Sequence, residues 1–159
     1  MEEIRRVVTG HDPQGRSVVL SDAPVARVPA TPGASFFWLW RTVATPVDND
    51  DPADRAADPP ALTQPGGSVL VFADLAPGAR SPLHRTTSLD YALVLAGPVD
   101  LELDDGSTTR LETGAVVVQR GTMHAWVNPG PHTARMAYVL LDAAEPTANG
   151  ERLPAYFPG

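Results

Sequence analysis

The sequence predicts an all-β fold, an antiparallel sandwich or barrel, on three observations. No window of about a dozen residues repeats apolar positions at the helical period without proline or glycine inside it. Short runs rich in β-branched, aromatic or other apolar residues punctuate the chain, bounded by Gly, Pro, Asp or Asn. From Gly67 onward these runs recur at the roughly eight-to-twelve-residue spacing of a jelly roll or related barrel.

In chain order, "IRRVVTG" and "RSVVLSD" read as two strands that "HDPQGRS" joins into a hairpin. "FFWLWRTV" is an apolar strand outside the barrel segment, with Trp38 and Trp40 on one parity. The barrel strands are "SVLVFADL", "DYALVLAG", "VDLEL", "TTRLE", "AVVVQ", "HAWVN" and "ARMAYVLLD". "LDDGST" places Asp105 and Gly106 between two of them, a dipeptide favoured in tight primed turns. Residues 46–65 hold five aspartates and five prolines among few large apolar groups, so no regular structure is expected there. Such a segment is either solvated and disordered or a cover over a site. The tail "AAEPTANGERLPAYFPG" either packs over the barrel through Tyr156 and Phe157 or frays.

Composition narrows the function. At 159 residues and 43% hydrophobic content, one domain can build a core without staples. Nineteen acidic residues against twelve arginines give a net charge of −7, which excludes the cationic face that nucleic acids or anionic membranes demand. With no cysteine, disulfides, thiolate metal sites and cysteine nucleophiles are ruled out. "MEEIRRVVTG" lacks the apolar core of a secretory signal and no run is long enough to span a membrane, so a cytoplasmic protein is expected.

The chemistry-bearing residues follow a spacing. Gly78, His84, Asp90 and Gly97 succeed one another at short intervals, and "VQRGTMHAWVN" follows with Gly121, His124 and Asn128. By strand alternation His84 and Thr86 share a face, as do Asp90, Ala92 and Val94. The same count puts His124, Trp126 and Asn128 on one inward face, with Thr122 and Arg120 just before it. His11 and His132 read as turn residues.

This spacing resembles the two motifs of the cupin superfamily, over about residues 66–142. Gly78, His84, Asp90 and Gly97 fall on the first motif, with Thr86 where a second histidine belongs and Asp90 where the family has glutamate. Gly114, Gly121, His124 and Asn128 fall on the second, with Gln119 in place of its proline and a spacing one residue tighter. The resemblance implies one domain over residues 1–159: a double-stranded β-helix barrel, N-terminal strands within 1–45 that extend its sheet, and the acidic loop between. It implies that His84, Asp90 and His124 bind one divalent ion (Fe, Mn, Ni or Zn), with no organic cofactor. Two imidazoles and a carboxylate are a sufficient set for such an ion. Thr86, Arg120, Trp126 and Asn128 are the expected substrate contacts, with Arg135 a further cation. "FFWLWRTV" is the expected contact of a homodimer.

Three functions remain open on these residues. The first is a metal-dependent lyase, isomerase or dioxygenase acting on a small carbonyl- or carboxylate-bearing metabolite. The second keeps the same residues as a metal-free acid/base site. The third is a ligand-binding cupin without turnover.

Overall fold

The structure is a computed structural model describing residues 3–58 and 61–158. The first hairpin, β1 (Arg5–His11) and β2 (Ser17–Pro24), is a sheet of its own. It is followed by β3 (Val28–Pro29), β4 (Ala34–Thr42), a single 3₁₀ turn (Arg55–Ala57) and β5 (Ser68–Leu75). Then come β6 (Ser88–Ala96), β7 (Pro98–Leu103), β8 (Thr108–Glu112), β9 (Val116–Arg120), β10 (His124–Val127) and β11 (Ala134–Asp142). A two-residue pair, β12 (Thr147–Ala148) and β13 (Glu151–Arg152), precedes the tail. Among the described residues no helix is long and apolar enough to cross a membrane.

Two sheets face each other. One has the order β3-β4-β5-β11-β6-β9, the other β10-β7-β8. Residues 78–85 lengthen the second sheet: Gly78 N donates to Asn128 O, Ser81 N to Trp126 O, and His84 and His124 exchange both backbone bonds at 2.9 Å. Alternation along the strands turns Leu75, Ala92, Val94, Ala134 and Met136 of the large sheet toward Val99, Leu101 and Trp126 of the small one. Each fully buried valine, leucine or methionine among them stabilises the fold by about 1.5–3 kcal/mol. Gly97, where the chain swings from one sheet to the other, has φ +112°, and a Cβ there would lie 2.6 Å from the Ala134 Cβ. Any side chain at 97 would force β6 and β11 apart.

Three expectations change. The Asp105-Gly106 loop holds three residues, not two: Gly106 N bonds back to Leu103 O with the glycine at positive φ, and the first hairpin, which forms where expected, turns the same way with Gly15 N bonded to Asp12 O. This is a turn closed by a left-handed glycine, so Asp105-Gly106 does not form the two-residue primed turn. "FFWLWRTV" does not lie outside the barrel, because β4 pairs with β5 inside the large sheet. One face of β4 gives Phe36 and Trp38 to Val69, Val71 and Leu140, and the other gives Phe37 and Leu39 to Ile4 and Val25. Of this run only Val43, past the end of β4, is exposed, whereas the first hairpin exposes Val7, Val19 and Leu20 and β9 exposes Val116 and Val118. That hairpin does not extend the large sheet, whereas β3 and β4 do.

The acidic loop folds back on the N-terminal segment. Arg6 makes an ion pair with Asp54 and donates to Leu39 O at 3.1 Å, and Asp51 pairs with Arg55 at 2.8 Å. Its aspartates are therefore partly spent on local arginines and backbone N–H groups. The Ala53 backbone N–H and then Arg55 hold the carboxyl of Asp51 below the usual range, and Arg6 and then the Ala56 backbone N–H do the same for Asp54.

Candidate active site

The site is built where residues 78–85 meet β10. Strand pairing sets His84 opposite His124, with ring centroids 4.4 Å apart and planes inclined by 48°. His84 Nδ1 lies 2.8 Å from Pro82 O, and His124 Nδ1 lies 2.9 Å from Thr122 O. A carbonyl oxygen can only accept, so Nδ1 carries the proton in both rings and each neutral ring presents Nε2 as a lone pair. The same local device, a ring bonded to the carbonyl two residues back, fixes both tautomers.

The two rings differ in environment. His124 is 2% exposed, and burial pulls its imidazole down to about 4, with repulsion from His84 a lesser cause, so it is neutral across the ordinary pH range. His84 is half-buried. Behind His124 stands Trp126, at 5.5 Å and nearly perpendicular, and behind Trp126 stands Tyr138, at 5.8 Å. Trp126 shares the face of His124 as the alternation requires, but at 5% exposure it is a packed wall of the core.

Asp90 belongs to the large sheet. Register puts it opposite Gln119 of β9 and Leu140 of β11. Its Oδ2 accepts from Thr86 Oγ1 at 3.4 Å, while Oδ1 is buried without a hydrogen-bonding partner. Burial pushes this carboxyl up to about 6, against the hydroxyls of Ser88 and Thr86, which favour its ionised form. Tyr138 is near enough to feel its charge: burial, and then Asp90, push the phenol above its usual range. The Tyr138 hydroxyl donates to Met136 Sδ at 3.0 Å.

Two expected substrate contacts are placed elsewhere. Arg120 is exposed on the outer face of β9, and its neighbour Gln119, 2% exposed, is the residue that turns inward and donates to Thr122 O at 3.2 Å. The chain reverses at Gly121, φ +61°, so alternation counted back from His124 does not carry through to Arg120. Asn128 faces inward but is fully used: Nδ2 donates to Leu75 O and His132 O, both at 2.8 Å, and Oδ1 accepts from Gly130 N at 2.9 Å. It ties loops together and has nothing left for a substrate. Arg135, the further cation, forms a two-point pair with Asp74 at 2.6 and 2.8 Å and lies over Phe37, on the far side of the sheet. In the sequence Gln119 stands out only as a departure from the second motif, and Ser88 and Tyr138 do not stand out. The inward parity of Tyr138 with Met136 and Leu140 was the available signal for it.

Comparison with known proteins fits this geometry. A family model described as "Cupin domain" matches residues 71–141. Phomopsin biosynthesis cluster protein C′ of Diaporthe leptostromiformis is 40% identical, over 93% of this chain and 83% of its own length. The cupin-domain-containing oxidoreductase fogC of Aspergillus ruber is 37% identical, over 98% and 81%. The chain belongs to the cupin superfamily. Among solved cupin-like folds, the polyketide cyclase RemF of Streptomyces resistomycificus superposes with a TM-score of 0.52 at 23% identity, over 82% of this chain and 78% of that one.

The donor set of this cupin does not fit the expected three-ligand metal centre. Among the described residues no three His, Cys, Asp or Glu side chains converge closely enough to hold an ion. Asp90 stands on the large sheet, with Oδ2 accepting from Thr86 and Oδ1 unpartnered, while the imidazoles pair on the small one. Thr86, where the family has its second histidine, supplies a hydroxyl that holds Asp90 and no imidazole.

Proposed function

We propose that this cupin is a small-molecule enzyme that moves a proton on a carbonyl-bearing metabolite, as a lyase or isomerase, with the imidazole pair as base and Asp90 as acid. The observation that carries the reading is the commitment of both Nδ1 protons to backbone carbonyls, which fixes two Nε2 lone pairs in one barrel with a buried carboxyl of raised pKa. Nε2 takes a proton from the carbon beside the carbonyl, and Asp90, protonated below about pH 6, gives its proton to the carbonyl oxygen, leaving an enol. Return of the proton to another carbon completes an isomerisation; loss of a leaving group completes an elimination.

The test is deuterium exchange from D₂O into the α-carbon of small ketones, followed by NMR. The wild type should exchange at least about a hundredfold faster than His84→Ala/His124→Ala, the usual scale of general-base catalysis. Equal rates would end the reading. Its pH profile should be bell-shaped, with limbs near 4 and 6, set by His124 and Asp90.

A second reading is favoured by the names of relatives such as the cupin-domain-containing oxidoreductases of Aspergillus ruber and Neurospora crassa. In it the two imidazoles are the protein's share of a divalent metal's ligands, and the chemistry is redox. Metal content by mass spectrometry separates the two. Stoichiometric iron, manganese, nickel or zinc in the wild type, lost in the double variant together with activity, selects the second.

A further inference from the structure

The C-terminal tail reaches both histidine-bearing segments. Pro146 lies against Gly121, three residues before His124, where an added Cβ would come within 3.1 Å of its ring. Leu153 N donates to Pro146 O at 2.8 Å and closes the small β12–β13 turn. The chain then crosses to His84's neighbour: Arg85 N donates to Tyr156 O at 2.8 Å and Tyr156 N to Arg85 O at 2.9 Å. This places Phe157 on His84, with centroids 5.5 Å apart and planes within 24°, a stacked pair.

The burial of this tail is unlike that of a structural strand. Tyr156 is 51% and Phe157 54% exposed, so neither ring contributes much apolar area to the core. What holds the segment at this point is one pair of backbone bonds and a long bond from the Arg85 guanidinium to Pro154 O at 3.5 Å, and segments held by so few contacts open at low free-energy cost. A large apolar ring has thus been set over the one half-buried base of the site, on a tether that can lift.

From this we infer that Phe157 is a specificity-determining residue: it closes over the bound substrate and stacks on it, so that the barrel selects flat, unsaturated carbonyl compounds over saturated ones. This rests on the carbonyl reading given above. In the free protein the phenyl ring lies where a planar substrate ring would meet His84, and lifting the tail by about one ring thickness leaves the substrate between the two aromatic faces. Offset stacking rewards a planar π-system beyond its area, enough for a preference of about three- to tenfold.

The experiment uses the full chain and two ketones with the same carbon skeleton, one with a flat unsaturated ring and one with a saturated ring, acetophenone and cyclohexyl methyl ketone. Dissociation constants come from the shifts of the His84 and His124 ring signals by NMR. The wild type should bind acetophenone about three- to tenfold more tightly. Phe157→Leu, which keeps apolar bulk, should bring the ratio close to one, and Phe157→Tyr should restore it. In the ligand-free protein, Phe157→Leu should also move the His84 ring protons downfield by removing the ring current, while those of His124 stay. If both ketones bind and the ratio is the same in Phe157→Leu, or if the His84 signals do not move, this inference is overturned and the carbonyl reading stands. If neither ketone shifts either imidazole, the carbonyl reading has failed, and the selection inferred here falls with it.

Discussion

The ladder between residues 78–85 and β10 has two ends, and they are put to opposite uses. At one end Gly78 bonds to Asn128, and the asparagine side chain satisfies its amide and carbonyl with Leu75, His132 and Gly130. At the other end His84 bonds to His124, and each ring keeps one nitrogen lone pair unspent. His124 of β10 and Asn128, which directly follows that strand, are both buried, inward and on one parity: Asn128 is 0% and His124 2% exposed. Position on a face therefore does not separate a structural polar residue from a chemical one. The hydrogen-bond inventory does, because a buried polar group with all its partners stabilises, and one with a free lone pair costs stability and is available for reaction.

His124→Ala sharpens this comparison most. Proton exchange into a ketone should fall by about a hundredfold or more in the molecules that remain folded, beside a stability loss of about 1–3 kcal/mol from the cavity and the lost bond to Thr122 O. Asn128→Ala should lose stability without that loss of exchange. Losing three bonds at a fully buried position should cost about 2–4 kcal/mol, seen as a drop in Tm of about 5–15 °C for a domain of this size, with exchange per folded molecule retained. If Asn128→Ala kept its Tm and lost activity, the two ends would not differ in the way described.

A smaller effect concerns the two buried ionisable groups, whose linkages have opposite signs. The carboxyl of Asp90, raised from 3.8 to about 6, makes the folded state hold a proton the unfolded chain releases, so stability falls as pH rises from about 4 through 6. The imidazole of His124, lowered from 6.5 to about 4, makes the unfolded chain hold a proton the folded state releases, so stability rises over nearly the same interval. Each is worth up to about 3 kcal/mol, and together they cancel. Urea unfolding of the wild type should therefore be nearly flat between pH 4.5 and 6. Asp90→Asn should become more stable with rising pH over that window, and His124→Gln less stable. Parallel slopes in the two variants would show that the groups are not buried as described.

Most strands were legible because alternation and turn residues recur together, as in "SVLVFADL" and "ARMAYVLLD". Residues 78–85 were not, because "GARSPLHR" has a proline and no β-branched residue, and its pairing is dictated by β10. The site was half legible. Motif spacing led to His84 and His124, and the structure pairs them. It could not say that Asp90 would turn to Thr86, since alternation gives the face of a residue and not its depth or partner.

Arg120 is the position where alternation failed outright, and it gives the smallest and most local test. The count ran backward from His124 through Gly121, whose φ of +61° breaks the extended chain, so the two sides of that glycine keep separate parities. On β9 the pairing with β6 sets Gln119 opposite Asp90 and turns Arg120 outward, where it is exposed. Arg120→Ala should then change stability by less than about 0.5 kcal/mol, as surface substitutions do, and leave the affinity for acetophenone as in the wild type. Gln119→Ala removes a buried amide that donates to Thr122 O, the same carbonyl that accepts from His124 Nδ1. It should cost about 1–2 kcal/mol and loosen the ring beside it, visible as exchange broadening of the His124 signals. A weakened affinity in Arg120→Ala with a silent Gln119→Ala would mean that β9 presents its other face to the barrel, and the register with β6 would have to shift by one residue.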